Sequence, residues 1–188
     1  MKGGLIIGII ILIVLVGLSG QVMGSRNQLV TEKTDIDARW AQVETDIKRR
    51  ADLIPNLVST VQGYAKQEQA VIGEVANARA ALSGARTKED TINANNQLTG
   101  ALNRLLVVVE NYPQLKSNEN FLRLQDELTG TENRIAVDRR DYNEAIRKYN
   151  TDVQLFPKNI AASLFGFQPD NAYFKTTEED RKVPQVKF

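Results

Sequence analysis

KRRADLIPNLVSTVQGYAK, residues 48–66, sets a proline and a glycine inside what otherwise reads as one long, evenly patterned helix. Whether Pro55 ends that helix or lies within one that continues decides how many helices the chain has. Proline in a helix interior removes one backbone hydrogen bond and crowds the carbonyl four residues back, at a cost of about 3 kcal/mol. A true break usually resets the hydrophobic register. Starting at Leu29, apolar residues recur at Ile36, Trp40, Val43, Ile47, Ile54, Leu57, Val61, Tyr64, Val71, Val75, Ala78 and Leu82, in steps of three, four or seven. One register therefore runs from well before Pro55 to well after it. Asp52 offers a cap for a new helix, but no Gly or Asn stop follows Arg50. The pattern favours a kinked, continuous helix over a turn. Polar Arg50 and Glu68 fill two seam positions, where a buried polar side chain can fix register or oligomeric state and an exposed one merely snorkels.

Two more helices follow. Ser83-Gly84-Ala85-Arg86 is a stop, and Thr87-Lys88-Glu89-Asp90 resembles a capped start with acids in the first turn. Ala94, Leu98, Ala101, Leu102, Leu105, Val108, Val109 and Tyr112 then share one face, until Pro113 ends the helix. Asn118 can cap the next, whose inner positions are Phe121, Leu124, Leu128, Ile135, Tyr142, Ile146, Tyr149 and Val153, with Pro157 as its stop. Long helices with matching apolar stripes must bury them on one another. The expected fold is all-α: a single N-terminal transmembrane helix followed by an elongated antiparallel helical bundle. The bundle has three long helices if Pro55 only kinks the first, and four if it breaks there.

Upstream, GGLIIGIIILIVLVGLSGQVM (residues 3–23) is free of charge and bracketed by Lys2 and Arg26. As a helix it is roughly 31 Å long, about the thickness of a hydrocarbon layer. Gly17-Leu18-Ser19 would serve as a signal-peptide cleavage site, but the apolar run continues through Gln21-Val22-Met23, which favours a retained anchor. Gly4 to Gly8 and Gly20 to Gly24 are small-xxx-small spacings that let two such helices approach closely, although glycine is also common in membrane helices for composition alone. The flanking charges, Lys2 against Arg26 and Lys33, divide weakly; the orientation expected is a cytoplasmic N-terminus with the body outside.

The charge balance argues against a polyanionic partner. The formal net charge is +1, and the clusters Lys48-Arg49-Arg50 and Arg139-Arg140 both have acidic neighbours. The chain has no cysteine and no histidine, which removes disulfides, thiolate and imidazole metal sites, cysteine nucleophiles and the Ser-His-Asp relay. Asp35 and Asp37 fall on different faces of a helix, and Glu178-Glu179-Asp180 lacks the ligand alternation and turn glycine of a calcium loop. No Gly-rich phosphate loop is present, and no serine has an evident base. The sequence points to no enzyme, no cofactor, no metal and no small-molecule substrate.

At this point the residues become specific. RWAQVETDIKRRADLIPNLVSTVQGYAKQEQAVIGEVANAR (residues 39–79) and TENRIAVDRRDYNEAIRKYNTDVQLFP (residues 131–157) resemble the two signature blocks of the LemA family, and the later LFGF and VPQVKF resemble its tail. Asp138 departs from the small or neutral residue more usual before the arginine pair. The resemblance implies a bacterial, membrane-anchored protein with a helical-bundle body, from a family with magnetosome relatives and poorly defined biochemical activity. It implies no catalytic residues and no cofactor.

The expected organisation is a transmembrane anchor over residues 1–25, a helical bundle over 26–156 and an aromatic-containing tail over 157–188. Within the tail, Phe156, Phe165, Phe167, Tyr173 and Phe174 are candidate contacts for the bundle, a neighbour or the membrane. KNIAASLFGF is expected to form a short helix with Ile160, Leu164 and Phe167 on one side. A continuous first helix leaves that tail far from the bilayer, meeting protein rather than lipid. The expected function is a membrane-anchored scaffold or assembly protein of the bacterial envelope, bound to the lipid bilayer by its first helix. It would associate with copies of itself, as a homo-oligomer, and with other envelope proteins. The alternative is a membrane-anchored receptor or regulator whose bundle binds a specific partner protein.

Overall fold

The computed structural model describes residues 2–175, and all regular structure among them is helical. The helices are α1 (Lys2–Tyr64), α2 (Gln69–Gly84), α3 (Lys88–Val109), the single turn α4 (Pro113–Lys116), α5 (Glu119–Gln154) and α6 (Lys158–Phe165). The acidic run at residues 178–180 and the closing VPQVKF lie outside the described residues. The fold class is as the sequence indicates: all-α, with a long apolar N-terminal helix and a helical bundle. The chain divides into two compact units, one of residues 2–41 with 141–171, the other of residues 42–140 with 172–175.

In the second unit, residues 42–64 of α1, then α2, α3 and residues 119–140 of α5 form four helices that reverse direction in turn. Their shared core holds Ile47, Ile54, Leu57, Val61, Ile72, Val75, Leu98, Leu105, Phe121 and Ile135, each at most 6% exposed. Pro55 lies inside α1 and does not end it. The missing proline N–H leaves the Ala51 carbonyl without its helical donor, and the Nε of Arg79 on α2 donates to that carbonyl at 3.0 Å.

The first helix nevertheless stops short of Leu82. It ends at Tyr64; the Ala65 N–H closes the last turn on Val61, the Glu68 N–H bonds the Ala65 carbonyl, and α2 folds back. The buried face passes from Val61 to Ala65 and then to Ile72 and Val75, while Tyr64 is 45% exposed and Val71 is half-buried. Val61 and Val75 are fourteen residues apart, two heptads, so the hairpin preserves the register it interrupts. The bundle has four helices because the chain turns at residues 65–68 and not at Pro55.

The later helices follow their caps. The Thr87 side chain accepts from the Asp90 N–H at 3.0 Å, with Glu89 and Asp90 in the first turn of α3. Asn118 accepts from the Phe121 N–H at 3.1 Å at the start of α5.

In the first unit the apolar stretch of α1 is exposed throughout, from Leu5 at 67% to Leu18 at 55%. Burial begins at Leu29 and continues through Ile36 and Trp40, matched on α5 by Tyr142, Ile146, Tyr149 and Val153. Trp40 and Tyr142 pack with ring centroids 5.3 Å apart and planes tilted by 53°.

Candidate functional site

Among the described residues each unit has a buried polar cluster that links three helices. In the second unit it centres on Arg50, whose side chain is 2% exposed. Its Nη1 donates to Glu132 and, at 3.0 Å, to the Thr99 hydroxyl; its Nη2 donates to the Asn95 side-chain oxygen and, at 3.3 Å, to the Asn95 carbonyl. Burial pulls the Arg50 pKa down and the Glu132 carboxylate opposes that pull. Three helices are thus tied to one guanidinium. A cleft of about 220 Å³ opens beside it, lined by Leu57, Leu102 and Leu128 as well as Arg50, Thr99 and Glu132. The seam reading of Arg50 identified a residue that is buried, and its fixed fork makes several directed bonds at once.

Glu68 does not occupy a seam position. It stands in the turn between α1 and α2, half-buried, and accepts a hydrogen bond from the Tyr112 hydroxyl at 2.8 Å. That bond raises the Tyr112 pKa. Tyr64, set free of the core by the turn, accepts from Asn118 at 3.0 Å.

The first unit's cluster gathers on Glu32, 6% exposed. Lys148 donates to it at 2.7 Å, Gln28 at 3.1 Å, and Lys158 at the start of α6 lies 4.0 Å away. Lys158 also donates to Asp152 at 2.5 Å. Burial alone would raise the Asp152 pKa. Hydrogen bonds with Lys158 and Glu32, and the charges of Lys158 and Lys148, outweigh it and hold the carboxyl below its ordinary value. The bond to Glu32 raises the Lys148 pKa. Local periodicity showed none of this, because the partners come from α1, α5 and α6.

The aromatic tail divides. Phe174 is 6% exposed, with the Arg139 guanidinium 4.7 Å from its ring centroid, and Tyr173 and Phe167 are half-buried. Asn150 holds Asp170 by a reciprocal pair, donating to its carbonyl at 2.7 Å and accepting from its N–H at 2.8 Å. By contrast, Phe156 is 79% exposed and Phe165 is 40% exposed. The helix expected over KNIAASLFGF is α6, but its buried residues are Ala161 and Ala162, while Ile160 and Leu164 face outward. Nor is it remote from the apolar stretch: the Arg26 guanidinium stands 5.3 Å from the Phe165 ring centroid. In the apolar stretch, Gly4, Gly8, Gly20 and Gly24 have nothing within 4 Å of where a Cβ would stand. Among the described residues no three Asp or Glu side chains form a group able to hold a metal ion.

Among the described residues one helix, α1, is long and apolar enough to cross a membrane, which supports a membrane localisation. Among known proteins, MamQ 2, a magnetosome protein of Paramagnetospirillum magneticum, is 27% identical over 76% of this chain and 62% of its own length. The chain thus spans less than two thirds of that relative. MamQ of Magnetospirillum gryphiswaldense is 23% identical over 85% of this chain and 69% of its own, and protein LemA of Metamycoplasma hominis is 23% identical over 85% and 73%. The sequence profile of the LemA family matches residues 39–188, which include both blocks that carried the resemblance, the Arg50 network and α6. On that match, which takes in most of the chain, the protein belongs to the LemA family.

Proposed function

We propose that the protein is a membrane-anchored, non-enzymatic scaffold of the bacterial envelope that acts by helix-mediated self-association and by binding other envelope proteins. The observation that carries the reading is the passage of α1, without interruption, from an exposed apolar stretch into the packed face of Leu29, Ile36 and Trp40. The anchor occupies residues 1–25, the bundle 26–156 and the tail 157–188, with the body outside the cytoplasm. Self-association is supported by the small-xxx-small spacings Gly4 to Gly8 and Gly20 to Gly24 in the apolar stretch. Non-enzymatic action is supported by the two polar clusters, in which acids and bases neutralise one another and pack helices together. The magnetosome names of two relatives suit a protein that works at a membrane.

Particle mass of the full chain in lipid nanodiscs tests this directly. A discrete oligomer that Gly4→Leu with Gly8→Leu disperses supports the scaffold. A uniform monomer at every protein-to-lipid ratio overturns self-association.

A further inference from the structure

Besides the apolar stretch of α1, α6 and the residues before it carry a second apolar surface that the fold leaves uncovered in the first unit. Leu155 is 58% exposed, Phe156 79%, Ile160 50%, Leu164 69% and Phe165 40%. Ile160 and Leu164, four apart within α6, share one face, Leu155 and Phe156 stand exposed in the turn that leads into it, and Ala161 and Ala162 hold the opposite face of α6 against the protein at 0% and 2% exposure. Large apolar residues pointing outward over small ones pointing inward is the reverse of a core-packed helix.

The only charge between residues 155 and 165 is Lys158, and it turns inward to Asp152 at 2.5 Å. Both ends of α6 are closed by the backbone. The Asn159 N–H bonds the Leu155 carbonyl at 3.0 Å; Gly166, at φ 74°, lets the Phe167 N–H reach the Ala162 carbonyl at 2.9 Å. A surface with no free charge and few open backbone groups can enter a low-dielectric medium cheaply.

The position of the patch selects its occupant. Arg26, beside Phe165, is the first charged residue after the apolar stretch, and therefore marks where a membrane-spanning helix would meet water. We infer that α6 is an interfacial membrane helix, with Phe156, Ile160 and Leu164 dipping among the lipid chains beside the point where α1 leaves the bilayer. The occupant is lipid, and the body has two attachments to one leaflet. This rests on the membrane reading of α1.

The chain has no native cysteine, so single labels are clean. Full-length Ile10→Cys, Val107→Cys, Phe156→Cys and Leu164→Cys, each bearing an environment-sensitive fluorophore, are placed at one copy per nanodisc containing bromine-labelled lipids. All four positions are at least half exposed, so labelling leaves the core intact. Quenching at positions 156 and 164 at least twofold stronger than at 107 is expected. Quenching at 10 without quenching at 156 and 164 overturns this inference alone; no quenching at 10 overturns the membrane reading with it. Equal quenching at 107 means general adsorption and overturns the assignment to α6. Shielding of 156 and 164 only with two copies per disc overturns it in favour of a second copy.

Discussion

The Nε of Arg79 donates to the carbonyl of Ala51 at 3.0 Å, inside α1, where the proline four residues on has no N–H to offer it. Pro55 creates that vacancy, and a side chain from the next helix fills it.

The two residues are therefore expected to be coupled. Pro55→Ala supplies the absent N–H and raises stability by up to about 3 kcal/mol. Arg79→Met costs about 1.5 kcal/mol in the natural background and clearly less in Pro55→Ala. Urea titrations of the four proteins in detergent measure the coupling, and equal costs of Arg79→Met in both backgrounds would show the bond to be idle.

Arg50→Ala is expected to be among the most damaging single changes, costing about 3 kcal/mol or more, because it strands Asn95 and Glu132 together with the space it vacates. Replacing the pair as Arg50→Met with Glu132→Leu is expected to cost much less than the sum of the single changes. Thermal denaturation followed by circular dichroism compares them.

Asn150→Ala removes both bonds to Asp170 and, at about 1 kcal/mol each, is expected to release the segment after α6 while leaving α5 folded. Hydrogen exchange at the Asp170 amide should rise more than tenfold while the amides near Tyr142 are unchanged.

The depressed pKa of Asp152 fixes the sign of an acid effect. A carboxyl held below its unfolded value stabilises the fold above that value, and the contribution is lost as pH falls through the folded one. The natural protein is expected to lose stability below about pH 4, and Asp152→Asn to start lower at neutral pH and fall less steeply. Melting temperatures between pH 3 and 7 in a constant-ionic-strength buffer provide the comparison.

These residues also mark what the sequence could and could not reveal. Thr87 and Asn118 were legible as caps because a cap is a local bond between near neighbours. The turn at residues 65–68 was hidden by arithmetic: Val61 and Val75 keep heptad spacing across a connection that has neither a proline nor a glycine within it. Arg50 was legible as a polar residue on an apolar seam, but Asn95, Thr99 and Glu132 come from other helices, and no local period relates them. In α6 the pattern correctly placed Ile160 and Leu164 on one face. Periodicity tells which residues share a face and not what covers it, so the inward role of Ala161 and Ala162 had to come from the fold.

The contact between Arg26 and Phe165 has a consequence for how the protein comes to be folded. Roughly 140 residues of chain separate the two, so closing this contact carries far more loop entropy than forming the hairpin of α2 and α3 across residues 85–87. That hairpin can assemble while the ribosome is still working. The seat of α6 is available only after the whole of α5 has emerged, which makes it a late step of maturation: a chain cut short before Lys158 keeps its apolar leader and most of its helices yet lacks the piece that completes the first unit.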